Sequence, residues 1–78
     1  MDNDQFKAYL EQRMKAVREE QGREGLTVQR NIELRDQLAL LEDGHRIMVY
    51  GTGPARRRFR RNYERSLLRQ GKRLENLQ

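Results

Sequence analysis

The chain has 78 residues, 35% of them hydrophobic and 37% charged, with 17 Lys and Arg against 12 Asp and Glu, one His, and no Cys or Trp. A chain this short buries only about 60–65% of the surface its unfolded form exposes, so the expectation is a single small domain over 1–78 with no elaborate catalytic cleft. The absence of cysteine excludes disulfides, thiolate zinc sites and cysteine nucleophiles, and a single histidine, His45, excludes any His-pair metal motif; neither metal nor cofactor is expected.

No apolar run approaches the ~18–20 residues of a membrane span, and the opening Met1-Asp2-Asn3-Asp4 is the opposite of a secretory signal's basic start. The expectation is a soluble, unprocessed, cytoplasmic protein without a membrane partner. The net charge of +5 is unevenly distributed. Residues 1–43 carry seven basic and ten acidic side chains, a balance of −3, whereas residues 44–78 carry ten basic and two acidic, a balance of +8. Such a split suits a scaffold half joined to a half that faces a polyanion, and equally suits a self-complementary oligomer.

The first element is a helix over roughly 4–21, because Phe6, Leu10, Met14 and Val17 form one stripe at period 3.6, flanked by Tyr9 and Ala16. Asp2, Asn3 or Asp4 caps its start, and Gly22 with Gly25 supplies the stop. A second helical pattern runs through Val28, Ile32, Leu34, Leu38 and Leu41, with Thr27 or Asn31 as N-cap and Asp43-Gly44 as the stop. Its leucines cover more than one face, which marks it as the central core element or as a surface that meets another chain. His45-Arg46-Ile47-Met48-Val49-Tyr50 is β-branched and aromatic between two glycines, which predicts a short strand or an extended linker, with Ala55 to Phe59 as the only hairpin partner within the chain. His45 then follows a helix stop, where an imidazolium complements the helix dipole.

The third helix is predicted to begin at Pro54, whose fixed φ suits the first helical position, with Thr52 or Gly53 as the cap. At 100° per residue, Phe59, Tyr63, Leu67, Gln70, Leu74 and Leu77 fall within an arc of roughly 80°, and Arg58, Arg61, Arg65, Arg69, Lys72 and Arg73 within about 120° on the far side. Gly71 weakens the end of this helix by ~1 kcal/mol relative to Ala. There is no internal repeat and no low-complexity linker. The expected fold is therefore mainly α: three helices, with a short extended or β-turn element between helices 2 and 3, an acidic scaffold over 1–43 and a basic segment over 44–78.

The functional expectation follows from the third helix. Six arginines between Arg56 and Arg65 repel one another unless an anion neutralises them, and their forked guanidinium groups fit phosphate oxygens bidentately. Arg56, Arg57, Arg58, Arg61, Arg65, Arg69, Lys72 and Arg73 are the candidate polyanion-binding residues. The turn at Thr52 and Gly53, just before the helix, is a possible phosphate contact through backbone N–H groups and the Thr52 hydroxyl. It is not a Walker loop: no Gly-Lys-Ser/Thr follows, and Pro54 lacks a donor. The competing reading of the same charge is a solvated basic face, consistent with 14 Arg to 3 Lys across the whole chain. Tyr50, Phe59 and Tyr63 have the chemistry to stack on bases, but the stripe position of Phe59 and Tyr63 assigns both to the core.

No carboxylate pair has a spacing that suggests acid/base work, and the single serine, Ser66, has no neighbouring base, so no catalytic residue is expected and the protein is read as a non-enzyme. Two partner classes remain. One is nucleic acid, DNA or RNA, gripped through its backbone with low sequence specificity, since no zinc finger, helix-turn-helix or RNP motif is present. Residues 56–69 resemble, in composition, the arginine-rich helices that bind structured RNA. The other is an acidic protein surface, met by a structural adaptor or regulator, as a homo-oligomer or within a larger assembly. The order helix, helix, short β-turn element, helix is similar in outline to that of the small head-to-tail joining proteins of tailed phages, which implies such an adaptor role.

Overall fold

The computed structural model of the chain describes residues 1–72, so Arg73, Leu74 and Leu77 lie outside the described residues. Three helices, α1 (Asn3–Gln21), α2 (Val28–Tyr50) and α3 (Gly53–Arg69), account for the architecture, and the fold is mainly α as the periodicities predict. Asp2 caps α1 in a reciprocal box: its carboxylate accepts from the Gln5 N–H at 2.8 Å while the Gln5 side chain accepts from the Asp2 N–H at 3.0 Å. Thr27 caps α2 through its hydroxyl, which accepts from the Arg30 N–H at 3.1 Å. Thr52 caps α3 in the same way through the Ala55 N–H at 3.2 Å, so α3 begins at Gly53, one residue ahead of Pro54.

Neither the short strand nor the extended linker expected at 45–50 is formed. Helix α2 continues through Gly44 to Tyr50, and only Gly51 and Thr52, both with extended dihedrals, separate it from α3. No strand occurs among the described residues, which removes the β element on which the outline resemblance to phage joining proteins rested. The reason lies in Gly44. It is buried on the inner face of α2 with the Phe59 ring against it, and a Cβ built at Gly44 would fall 1.9 Å from Phe59 Cζ. Glycine at 44 therefore serves close helix approach and not helix termination. The β-branched run beyond it costs only a few tenths of a kcal/mol per residue in helix propensity, less than the burial of Met48 and the half-burial of Ile47 and Val49 contribute. His45 consequently sits in mid-helix, where its Nε2 meets Glu11 Oε1 of α1 at 2.9 Å instead of capping a helix end. The stop falls at Gly51, where a side chain would press on the Ile47 carbonyl at 2.4 Å.

The helices pack up, down and up. Helix α2 runs antiparallel to α1 and is tied to it by Arg30–Glu20, Arg18–Glu42 and His45–Glu11, and α3 folds back along α2 and alongside α1. Phe6, Tyr9, Leu10, Met14 and Val17 of α1 meet Leu34, Leu41 and Met48 of α2 and Leu67 of α3 in one core, with Phe59 and Tyr63 packed against it. Phe6, fully buried, is the centre of an aromatic group, with ring centroids 6.2 Å from Tyr9, 6.1 Å from Phe59 and 5.7 Å from Tyr63. The assignment of Phe59 and Tyr63 to the core is thus correct.

Gly44→Ala separates the two roles of that residue. On helix propensity alone Ala stabilises a helix by ~1 kcal/mol relative to Gly, but the crowding against Phe59 reverses the sign, and a net loss of about 1–3 kcal/mol is expected in urea unfolding followed by circular dichroism.

Candidate nucleic-acid interface

The Phe59–Tyr63–Leu67 stripe faces inward, and this fixes the opposite side of α3 toward solvent. At 100° per residue, Arg57, Arg58, Arg61, Arg65 and Arg69 share an outward arc of about 120° with Leu68. All five arginines are exposed, as is Lys72 just beyond the helix end. Arg57, Arg61, Arg65 and Arg69 recur every fourth residue, so their Cα atoms rise about 18 Å along the axis, with Arg58 beside the row. Among the described residues none of these five arginines, nor Lys72, has an ion-pair partner.

Two arginines of the same helix do a different job. Arg56, included in the predicted site, is half-buried, and its Nη2 donates to the Val49 carbonyl at 3.3 Å. That carbonyl belongs to the last turn of α2, where backbone acceptors lack intrahelical donors, so Arg56 caps α2 from across the link and places a cation at the negative end of its dipole. Its Nε is buried without a hydrogen-bond partner. Arg60, which the wheel leaves off the cationic arc, lies over the Phe6 ring with Cζ 5.4 Å from the centroid. It donates to Glu64 at 3.1 Å, to Asn3 Oδ1 at 3.3 Å and to the Met1 carbonyl, holding the start of α1 against α3. The exposed cationic row is thus 57, 58, 61, 65, 69 and 72, with Arg56 turned to the end of α2; Arg73 lies outside the described residues.

The acidic half does not neutralise this row. Asp4 pairs with Lys7, Glu11 with His45, Glu20 and Glu33 with Arg30, Glu42 with Arg18, Asp43 with Arg46, and Glu64 with Arg60. The Arg30 side chain, hydrogen-bonded to Glu20 at 3.0 Å, holds the Glu20 carboxyl below the usual carboxylate range. No carboxylate of α1 or α2 pairs with the α3 row, which keeps its charge.

Thr52 and Gly53 are exposed at the start of α3. The Thr52 hydroxyl is already an acceptor for the Ala55 N–H, and the Arg57 guanidinium lies against Gly53, where a built Cβ would meet its Nη1 at 3.3 Å. No acidic residue occupies the first turn of α3, so cations stand at the positive end of its dipole, an unfavourable arrangement that a bound anion reverses. Tyr50, 83% exposed at the end of α2, is available to stack, unlike Phe59 and Tyr63. No group of three or more His, Cys, Asp or Glu side chains among the described residues is arranged to hold a metal ion, and no helix among them is long and apolar enough to cross a membrane.

Two outcomes follow from this division of labour. Arg60→Ala is expected to lower stability by about 1–2 kcal/mol through loss of its contact with Phe6 and its hydrogen bonds, while Arg61→Ala stays within about 0.5 kcal/mol, both read from thermal or urea unfolding. Burial, with the Tyr9 hydrogen bond at 3.2 Å, pushes the Tyr63 phenol above its usual 10.0. The folded state therefore holds that proton more tightly than the unfolded chain, and the associated stability is complete below pH ~10 and lost as pH rises beyond it. Unfolding measured across this range should show a fall that is shallower in Tyr63→Phe.

No protein family, curated protein or solved structure was found to match this chain, so the functional assignment rests on the geometry of these three helices.

Proposed function

We propose that this chain is a small, non-enzymatic, nucleic-acid-associated protein that lays the outer face of α3 along a phosphate backbone with low sequence specificity. The observation that carries this reading is the row Arg57, Arg58, Arg61, Arg65 and Arg69, outward on one helix and without ion-pair partners among the described residues. Like charges at i, i+4 on a helix cost a few tenths of a kcal/mol per pair, and the row contains three such pairs in succession. A phosphate backbone removes that cost. Arginine is also the side chain whose planar fork matches phosphate oxygens. Each neutralised phosphate adds about 0.7–0.9 to the slope of log K against log salt, so five contacts imply a fall in affinity of two to three orders of magnitude between about 50 and 200 mM salt.

A second reading has one observation in its favour. Leu68 is 56% exposed within the arginine face, and an apolar side chain there has no use on a phosphate backbone but suits an acidic protein surface with a hydrophobic centre. An affinity pull-down from the native host, with Leu68→Ser as control, distinguishes the two: an adaptor recovers a stoichiometric protein partner that the variant loses.

The combined substitution of Arg58, Arg61, Arg65 and Arg69 by Gln should abolish binding to duplex DNA, single-stranded DNA and RNA at about 50 mM salt while leaving helicity unchanged, because none of these side chains touches the core. Undetectable binding by the unaltered protein at that salt, or binding indifferent to a rise to ~200 mM, rules the phosphate reading out.

A further inference from the structure

Where the C-terminal part of α3 lies beside the middle of α1 and of α2, the three helices leave a groove of about 300 Å³, at the lower limit of small-ligand pockets. Its apolar part is formed by Leu41 and Leu67, both buried, with Leu40 as a wall that is 53% exposed. The Tyr9 and Tyr63 hydroxyls also line it, 3.2 Å apart. Two phenols that hydrogen-bond to each other use one of their two O–H donors, and among the described residues the second has no protein acceptor. Gln37 and Gln70 bring amide groups, each both donor and acceptor, to the edge. Arg13 and Lys72 complete the lining and have no ion-pair partner among the described residues.

This combination describes a particular kind of ligand: an apolar body, an edge that offers both donors and acceptors, and an attached anion. A nucleotide has all three. The groove also adjoins the cationic row, since Ser66 and Gln70 on its lining neighbour Arg65 and Arg69 in sequence and Lys72 belongs to both. We propose that the groove receives one unstacked nucleobase of a single strand, with that nucleotide's phosphate at Arg13 and Lys72 and the adjoining backbone on α3. The inference rests on the nucleic-acid reading above and adds to it a preference for single strands over duplex, whose bases are stacked and paired out of reach.

The test compares a short oligodeoxythymidylate with an abasic strand of the same length and charge, using the full chain. Base contact is expected to make the oligodeoxythymidylate bind at least about fivefold more tightly. In the absence of tryptophan, tyrosine emission reports on the groove floor, and Tyr50→Phe removes the exposed background. Quenching is expected with the base-bearing strand and not with the abasic one. Ser66→Leu, which fills the groove, should reduce the affinity for the base-bearing strand to that for the abasic strand; Leu40→Ser, at an exposed position, replaces it if circular dichroism shows a disturbed fold. Equal, salt-sensitive affinity for the two strands overturns the groove inference and leaves the phosphate reading intact. No binding to either overturns both. Thymidine monophosphate that binds as tightly as the strand overturns the assignment to a strand in favour of a free-nucleotide site.

Discussion

Phe59 rests on the backbone of α2 at the position where Gly44 has no side chain, and the orientation of the third helix depends on that contact. Glycine lets the ring reach the helix surface, and the ring in turn joins Phe6, Tyr9 and Tyr63 in an aromatic group that ties all three helices together. Once Phe59 is placed, the rest of α3 follows by helical geometry: Tyr63 and Leu67 turn inward one and two turns on, and the arginines between them turn outward. The short link helps. Gly51 and Thr52 alone connect α2 to α3, so the rotation set at Phe59 is not dissipated by a flexible loop.

The arginines of α3 show how position, and not residue type, decides what a charge does. Arg56 satisfies a carbonyl at the end of α2, and Arg60 covers Phe6 and holds the first residues of α1. Both are partly removed from water, where a guanidinium contributes packing through its aliphatic stem and flat face as well as charge. Their neighbours a residue or two away point to solvent, without ion-pair partners among the described residues. Fold stability and the proposed grip on phosphate are therefore carried by different members of one arginine-rich segment, and altering one function need not damage the other.

The charge asymmetry of the chain takes on a specific form in the structure. The acidic half does not fold its carboxylates onto the outer face of α3. Instead, Glu11, Glu20 and Glu42 make their contacts between α1 and α2, and only Glu64 of α3 engages an arginine there, the inward Arg60. No scaffold carboxylate reaches the outer face of α3, where five arginines without ion-pair partners among the described residues are gathered on one helix.

The sequence by itself determined the helical class, candidate caps that include the actual one for each of the three helices, and the segregation of α3 into apolar and cationic faces, because caps and 3.6-residue periodicity are local properties written in neighbouring residues. It misplaced the end of α2, since a glycine at a helix stop and a glycine under an aromatic ring look alike until Phe59, fifteen residues on, is seen against Gly44. It also counted Arg56 among the candidate polyanion-binding residues, because the Val49 carbonyl to which it donates is a backbone group with no signature in the side-chain pattern. The groove was invisible for the same reason: its lining comes from Tyr9, Leu40 and Ser66 on three different helices, and only their packing brings them together. Tertiary structure thus decided which arginines have no ion-pair partner among the described residues and where a groove opens between the helices, because both depend on contacts between residues far apart in the chain.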